Sequence, residues 1–270
     1  IGDELDIPIF LYENAATEEK RRNLANCRQG EYEGLEKKFK DPLWQPDHGS
    51  TNKSVFERTG ATAVGARDFL VAYNVNLNTT STRRANAIAF DIRERGRVKR
   101  EGNPLTGPIV KDENGNPVHI PGKLKAVKGI GWYIEEYGIA QISYNLTNIS
   151  ITPMHRAFEE TCKAADERGL RVTGSELVGL VPLQAILDAG KHYLRKQQRS
   201  TGFPESEIIK IAVKSLGLDE LSPFDPEKRI IEYKLKQELD QPLLKMDLRT
   251  FANETASESP APGGGSISVY

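Results

Sequence analysis

The chain has 270 residues, 38% of them hydrophobic, and its 37 basic and 38 acidic side chains leave a net charge of −1. That length allows one large domain or two smaller ones, and the charge balance argues against nucleic-acid binding, which shows a basic excess or stripe. Two cysteines far apart (Cys27 and Cys162) fit a reducing cytoplasm rather than a disulfide framework, His48, His119, His155 and His192 show no metal-ligand spacing, and neither a signal peptide nor a membrane span is expected.

In chain order, residues 7–12 read as a short buried strand. Residues 18–28 read as a charged helix with Thr17 as candidate N-cap, and residues 31–39 as a second helix before the Asp41-Pro42 break. From 44 to 65 the chain reads as a long loop, a length usually reserved for function. Within it, Gly49, Ser50, Thr51, Asn52, Lys53, Ser54, Val55, Phe56, Glu57, Arg58, Thr59 and Gly60 offer hydroxyls, cations and flexible backbone suited to a carboxylate or phosphate. The run is not a Walker loop, since it lacks the Gly-Lys-Ser/Thr ending; on its residues alone it reads as a plain surface loop.

A regular block follows. Residues 69–76 read as a strand, and 82–95 as a helix with Ala85, Ile88, Ala89 and Ile92 inward. The Asn114-Gly115 turn predicts a hairpin between 108–111 and 117–120, an excursion from the core. Strands are expected over 125–134 and 139–147, a helix over 153–168 stopped by Gly169, and a strand over 172–178. Strand, helix, strand, strand, helix, strand is the ferredoxin-like βαββαβ order, with both helices on one face of the sheet. The expected class is α+β, an α/β sandwich. Helices over 182–196 and 204–216, a short element over 230–236, a linker over 240–244 and a helix over 248–255 complete the pass.

Two of these strands alternate between apolar and amide or hydroxyl residues. Val71, Tyr73 and Val75 oppose Asn74 and Asn76; Ile142, Tyr144 and Leu146 oppose Gln141, Ser143, Asn145 and Thr147. Asn is uncommon in strands, so a stripe of uncharged hydrogen-bonding groups on the free sheet face fits recognition of a polar organic ligand, against the plainer reading of a solvated face. Asn74, Asn76, Gln141, Ser143 and Asn145 are the candidate ligand-contacting residues, with Lys53 and Arg58 as candidate partners for carboxylates. Ser175 and Glu176, in a Gly-rich strand-to-helix turn, are expected to face the same side. No Ser–His–acid arrangement stands out.

Together, Pro8-Ile-Phe-Leu-Tyr12, Arg21-Arg22, Arg28-Gln-Gly-Glu-Tyr-Glu33, Gly60-Ala-Thr-Ala-Val-Gly-Ala-Arg67, Val127-Lys-Gly-Ile-Gly-Trp-Tyr133, Gln141-Ile-Ser-Tyr-Asn-Leu146 and Gly174-Ser-Glu-Leu-Val-Gly-Leu-Val-Pro182 resemble glutamate formimidoyltransferase, the transferase part of the bifunctional formimidoyltransferase-cyclodeaminases. The tail Ser257-Glu-Ser-Pro-Ala-Pro-Gly-Gly-Gly-Ser266 resembles the opening of a cyclodeaminase domain. The resemblance implies transfer of the formimino group from N-formimino-L-glutamate to tetrahydrofolate in histidine breakdown. It also implies two related subdomains with a folate channel between them, a cytoplasmic homo-oligomer, and no metal, nucleic-acid or membrane partner. The family's folate-binding segment maps onto residues 49–60. Its catalytic histidine is expected upstream of Ile1 and the cyclodeaminase acid downstream, so this chain is expected to supply binding surface without turnover. The implied organisation is residues 1–66 as the rear of the first subdomain, 67–238 as the second, and 239–270 as linker and start of the next domain. A non-enzymatic ligand-binding module of the same fold is the competing reading; the junction-like tail favours the enzyme.

Overall fold

Phe10, Cys27, Leu35, Phe39 and Phe56 are spaced too irregularly for a single helix or strand, yet they converge into one buried cluster. The computed structural model, which describes residues 1–104, 106–235 and 246–257, forms α1 (Gly2–Leu5), β1 (Ile9–Glu13), α2 (Leu24–Cys27), α3 (Leu35–Phe39), α4 (Lys53–Thr59) and β2 (Thr62–Ala66) in this part, and the cluster is drawn from β1, α2, α3 and α4. β1 and β2 pair in parallel, from Ile9 opposite Thr62 to Glu13 opposite Ala66.

Three expectations fail in this part. The helix expected over 31–39 begins only at Leu35. The helix expected over 18–28 is broken into a 3₁₀ turn, Glu19–Arg21, and the single turn of α2. Arg21 turns inward to the Asp47 carboxylate at 2.6 Å, and Asn23 restarts the helix by accepting from the Ala25 N–H. Thr17 caps nothing; its hydroxyl donates to Asp47 at 2.6 Å. The long loop expected over 44–65 contains α4 and β2. The Asn52 side chain caps α4 through the Ser54 N–H, and Phe56 drops into the core, so one apolar anchor and one cap suffice where periodicity is silent.

The second part follows the pattern closely. It comprises β3 (Val71–Leu77), α5 (Thr82–Ile92), β4 (Arg97–Val98), β5 (His119–Ile120), β6 (Val127–Ile134), β7 (Ile139–Leu146), α6 (Met154–Asp166) and β8 (Val172–Val178). β6, β7, β3 and β8 lie side by side in that order, every neighbouring pair antiparallel. The expected α+β class holds. Val71, Tyr73, Val75, Ile142, Tyr144 and Leu146 are all fully buried on one face. α5 buries Ala85, Ile88, Ala89 and Ile92 as expected, and α6 is tied to the same face by the bond between Tyr144 Oη and Thr161 Oγ1 at 2.9 Å. Each large side chain removed from water there contributes about 1.5–3 kcal/mol.

α5 starts at its Ser81 cap and stops at Ile92, three residues short of the expected end. Arg93 is extended there because its guanidinium donates to Gly96 O and Gly129 O. The predicted hairpin forms, with Val118 N bonded to Val110 O and Asp112 N to Asn116 O, turning at Gly115 with φ +79°. Asp91 anchors the base of the excursion by accepting from both Arg97 and Arg168.

α7 (Leu183–Lys196) and α8 (Glu205–Leu216) pack against each other, and α8 ends at Gly217 with φ +61°. The chain divides into two compact units, Ile1–Phe224 and Asp225–Tyr270. Where a single short element was expected over 230–236, the second unit holds α9 (Pro226–Arg229) and α10 (Ile231–Leu235), followed by the expected helix over Leu248–Thr255. The expected linker over 240–244 and the junction-like run over 259–266 lie outside the described residues.

Candidate functional site

Register arranges the sheet face opposite the helices as a grid. Trp132, Gln141, Asn76 and Gly174 lie abreast across the four strands; Ile130, Ser143, Asn74 and Glu176 form the next row, and Lys128, Asn145, Ala72 and Val178 the third. The expected amide stripe therefore exists, with all five candidate residues on one face. Its centre is not solvated, however: Asn76 and Gln141 are fully buried and Asn74 is 3% exposed.

The amides are buried because they satisfy one another. Gln141 Nε2 donates to Asn76 Oδ1 at 2.8 Å and to Glu176 Oε2 at 3.2 Å; Asn74 Nδ2 donates to Gln141 Oε1 and Glu176 Oε2, both at 3.3 Å. Asn76 Nδ2 reaches Glu220 Oε2 at 2.6 Å, and the Tyr137 hydroxyl donates to Glu176 Oε1 at 3.3 Å. The neighbouring Glu176 charge pushes the Tyr137 hydroxyl above its ordinary pKa, so it stays a donor. A buried network with every member paired fixes its side chains in one arrangement. Glu176 takes part as expected; Ser175 does not. Its register partner is Val75 on the helix face, and its hydroxyl donates to Leu216 O at 2.6 Å.

Around this centre the face opens. Trp132 and Ile130 are 41% and 53% exposed, and Asn145 and Lys128 are exposed in the third row. That row borders a cavity of about 510 Å³ whose lining includes Asn14, Arg22, Arg67, Lys128, Asn145 and Asn148. Glu13 and Asp68 also line it, but Asp68 accepts from Asn148 at 2.9 Å, and Arg22 pairs with Glu19. Arg67 and Lys128 make no ion pair among the described residues. A second cavity of about 550 Å³ shares Lys128 and Thr147 and adds Arg93, Arg95 and Ile130. Two cations beside free amide groups can bind a carboxylate, and the exposed indole offers a flat apolar surface for a ring.

The other sequence candidates lie elsewhere. Lys53 and Arg58 are on α4; Lys53 pairs with Glu36 and Glu57 across solvent. Of residues 49–60, Phe56 belongs to the first core, Tyr32 Oη bonds Glu57 O, and only Gly60 borders a described cavity, a separate one of about 330 Å³ beside Phe10 and Tyr32. Arg67, Lys128, Tyr137 and Glu220 were not singled out. The signal for Lys128 was present, since it stands two residues before Ile130 and four before Trp132 on one side of a strand. Arg67 closes the quoted Gly60–Arg67 motif, but only the three-dimensional arrangement brings it beside Lys128 and Asn145. Among the described residues no group of three or more His, Cys, Asp or Glu could hold a metal ion, and no helix is long and apolar enough to cross a membrane.

Comparison with known proteins bears on the same two parts. The family model for the formiminotransferase domain matches residues 72–236, and that for its N-terminal subdomain matches residues 1–67. A formimidoyltransferase-cyclodeaminase of Dictyostelium discoideum is 44% identical over 100% of this chain and 46% of its own length. The Mus musculus protein of that name is 43% identical over 100% and 46%. A glutamate formimidoyltransferase of Thermoplasma acidophilum is 38% identical over 77% of this chain and 59% of its own length. The chain thus spans about half the length of the curated relatives it matches.

Proposed function

This chain belongs to the formiminotransferase family, and from that premise we propose that it serves the transfer of the formimino group of N-formimino-L-glutamate to tetrahydrofolate, in histidine degradation. The observation that carries the reading on this chain is the cavity where the cations Arg67 and Lys128 meet Asn145 at the end of a rigid amide face. Both substrates are carboxylates with a nitrogen-rich planar group, and both chemistries have a counterpart here.

The reaction needs N5 of the reduced folate to attack the formimino carbon. On bonding to that carbon N5 becomes cationic and gives up its own N–H proton; the bond from carbon to the glutamate nitrogen then breaks, that nitrogen leaving with a proton as the C=N bond re-forms. Residues of this chain contribute by holding the two substrates in contact, a positioning effect worth up to several kcal/mol. Asn74, Asn76, Gln141, Ser143 and Asn145 stand in this reading as the face along which folate lies, and residues 49–60 as the segment that the family likeness assigns to folate. The transferase role alone is proposed for this chain; the cyclodeaminase activity named in the longer relatives is not.

The test is formimino transfer from formiminoglutamate to tetrahydrofolate by the full-length protein that carries this chain, followed spectrophotometrically. Transfer that falls with Arg67→Gln or Lys128→Gln supports the reading. A folded full-length protein without transfer overturns it and favours the binding-module alternative.

A further inference from the structure

β8 is an outer strand of the four-stranded sheet, and the turn that ends α8 closes over it. Ser175 N donates to Gly217 O at 2.9 Å, and Ser175 Oγ to Leu216 O at 2.6 Å. The approach is close enough to require glycine on the strand: a Cβ at position 174 would stand 2.8 Å from Gly217 O and 2.4 Å from Glu220 Oε2. Gly174 shares its row with Asn76, and the room it leaves there is taken by the Glu220 carboxylate, whose Oε2 accepts from Asn76 Nδ2 at 2.6 Å. Asn76 is fully buried, so this nitrogen has no water to turn to. An ionised carboxylate only accepts, so the amide must give its nitrogen to Glu220 and its oxygen to Gln141. Gln141 in turn offers its own oxygen to Asn74.

Resting on the reading above, in which this amide face holds folate, we propose that Glu220 is a positioning residue of the transferase. It acts through Asn76, holding the amides in the one arrangement that the ligand meets. The turn from Leu216 to Glu220 lies outside the βαββαβ unit, yet it is thereby a working part of the site. A face ordered before the ligand arrives spares binding the cost of ordering it. Loosening that face weakens the hold on tetrahydrofolate and leaves the reacting atoms alone, so the effect falls on KM and not on kcat.

The experiment measures initial rates of formimino transfer by the full-length protein as wild type, Glu220→Ala, Glu220→Gln and Asp219→Asn, with melting curves to certify folding. Glu220→Ala is expected to raise KM for tetrahydrofolate roughly fivefold to tenfold, with kcat and KM for formiminoglutamate held within about twofold. Glu220→Gln keeps an acceptor oxygen for Asn76 and is expected to restore KM. Asp219→Asn removes the neighbouring carboxylate, which pairs with Lys214, and is expected to change neither constant. Glu220→Ser, too short to reach Asn76, stands in if the alanine variant misfolds. An unmoved KM in the folded variant, with only melting temperature or active fraction lowered, overturns the proposal and makes Glu220 a structural residue. A glutamine variant no better than alanine overturns it too. Both results leave the transferase reading intact, because the wild type still transfers; a folded wild type without transfer overturns that reading and the proposal together.

Discussion

The side-chain amide of Asn86 closes the outer edge of the sheet against Gly131, its Nδ2 donating to Gly131 O at 3.1 Å and its Oδ1 accepting from Gly131 N at 3.0 Å. A helix residue thereby supplies the two bonds that a fifth strand would make, on the strand that flanks the candidate site. An exposed edge invites pairing with other chains, and covering it with a side chain removes that invitation. The fit needs glycine: a Cβ at position 131 would stand 2.3 Å from Asn86 N.

Replacing Asn86 by alanine should cost about 1–3 kcal/mol, because two partly buried backbone groups lose their partners. Urea unfolding measures the cost, and light scattering during refolding should rise as the β6 edge opens. Unchanged stability and scattering for Asn86→Ala would show that water replaces the amide at no cost.

Arg21 and Asp47 form a nearly buried pair, with side chains 4% and 8% exposed. Burial alone would raise the Asp47 carboxyl; the Leu11 N–H, the Thr17 hydroxyl and Arg21 outweigh it and hold it below the ordinary carboxylate range. Arg21→Met should destabilise by about 3–5 kcal/mol, since it strands a buried charge. The Asp47 contribution is present above the unfolded carboxylate value and is lost as pH falls through the lower folded value. Acid unfolding of Asp47→Asn should accordingly lack that last step. A fully retained acid limb in Asp47→Asn would assign it to other carboxylates.

His155 and His192 stack with ring centroids 4.2 Å apart. Burial, and then the neighbouring His192, push His155 down from 6.5 to about 4. A depressed folded value means that the unfolded chain takes up the proton first. Stability is whole above about 6.5 and declines as pH falls toward about 4. After discounting for partial exposure the loss is on the order of 2 kcal/mol. His155→Phe keeps the stack and should flatten the urea midpoint between these pH values. An unchanged slope would remove His155 as its source.

Gln141 is the hub of the amide network, so Gln141→Leu leaves Asn74, Asn76 and Glu176 short of partners in a buried place. The expected cost is about 1–3 kcal/mol, read from thermal unfolding. Coupling to Asn74→Ala in a double-mutant cycle should be positive and well outside error. Additive effects would mean that the four groups do not act together.

Most of the second part was legible because its signals are periodic. Strands β3 and β7 alternate cleanly, and α5 shows its inner stripe, so the buried faces of these elements followed from spacing alone. The first part was not, because its order comes from single contacts between distant residues: Arg21 with Asp47, Phe56 with Phe39. At the site, the stripe was readable but its closure was not. Burial of Asn76 and Gln141 depends on Glu220 reaching Asn76 from 144 residues away, which no local pattern announces.

The amide network also has a consequence for how the chain finds its fold. Strand side chains alternate, so sliding β7 by one residue against β3 would thrust Gln141, Ser143 and Asn145 under the helices and expel Ile142, Tyr144 and Leu146. Apolar collapse alone penalises that error. The buried amides also reject a two-residue slip, which would keep the faces correct but break Gln141 from Asn76. They act as a proofreading key, closing in a single alignment of the central strands, so that a sheet with the wrong register is never fully hydrogen-bonded.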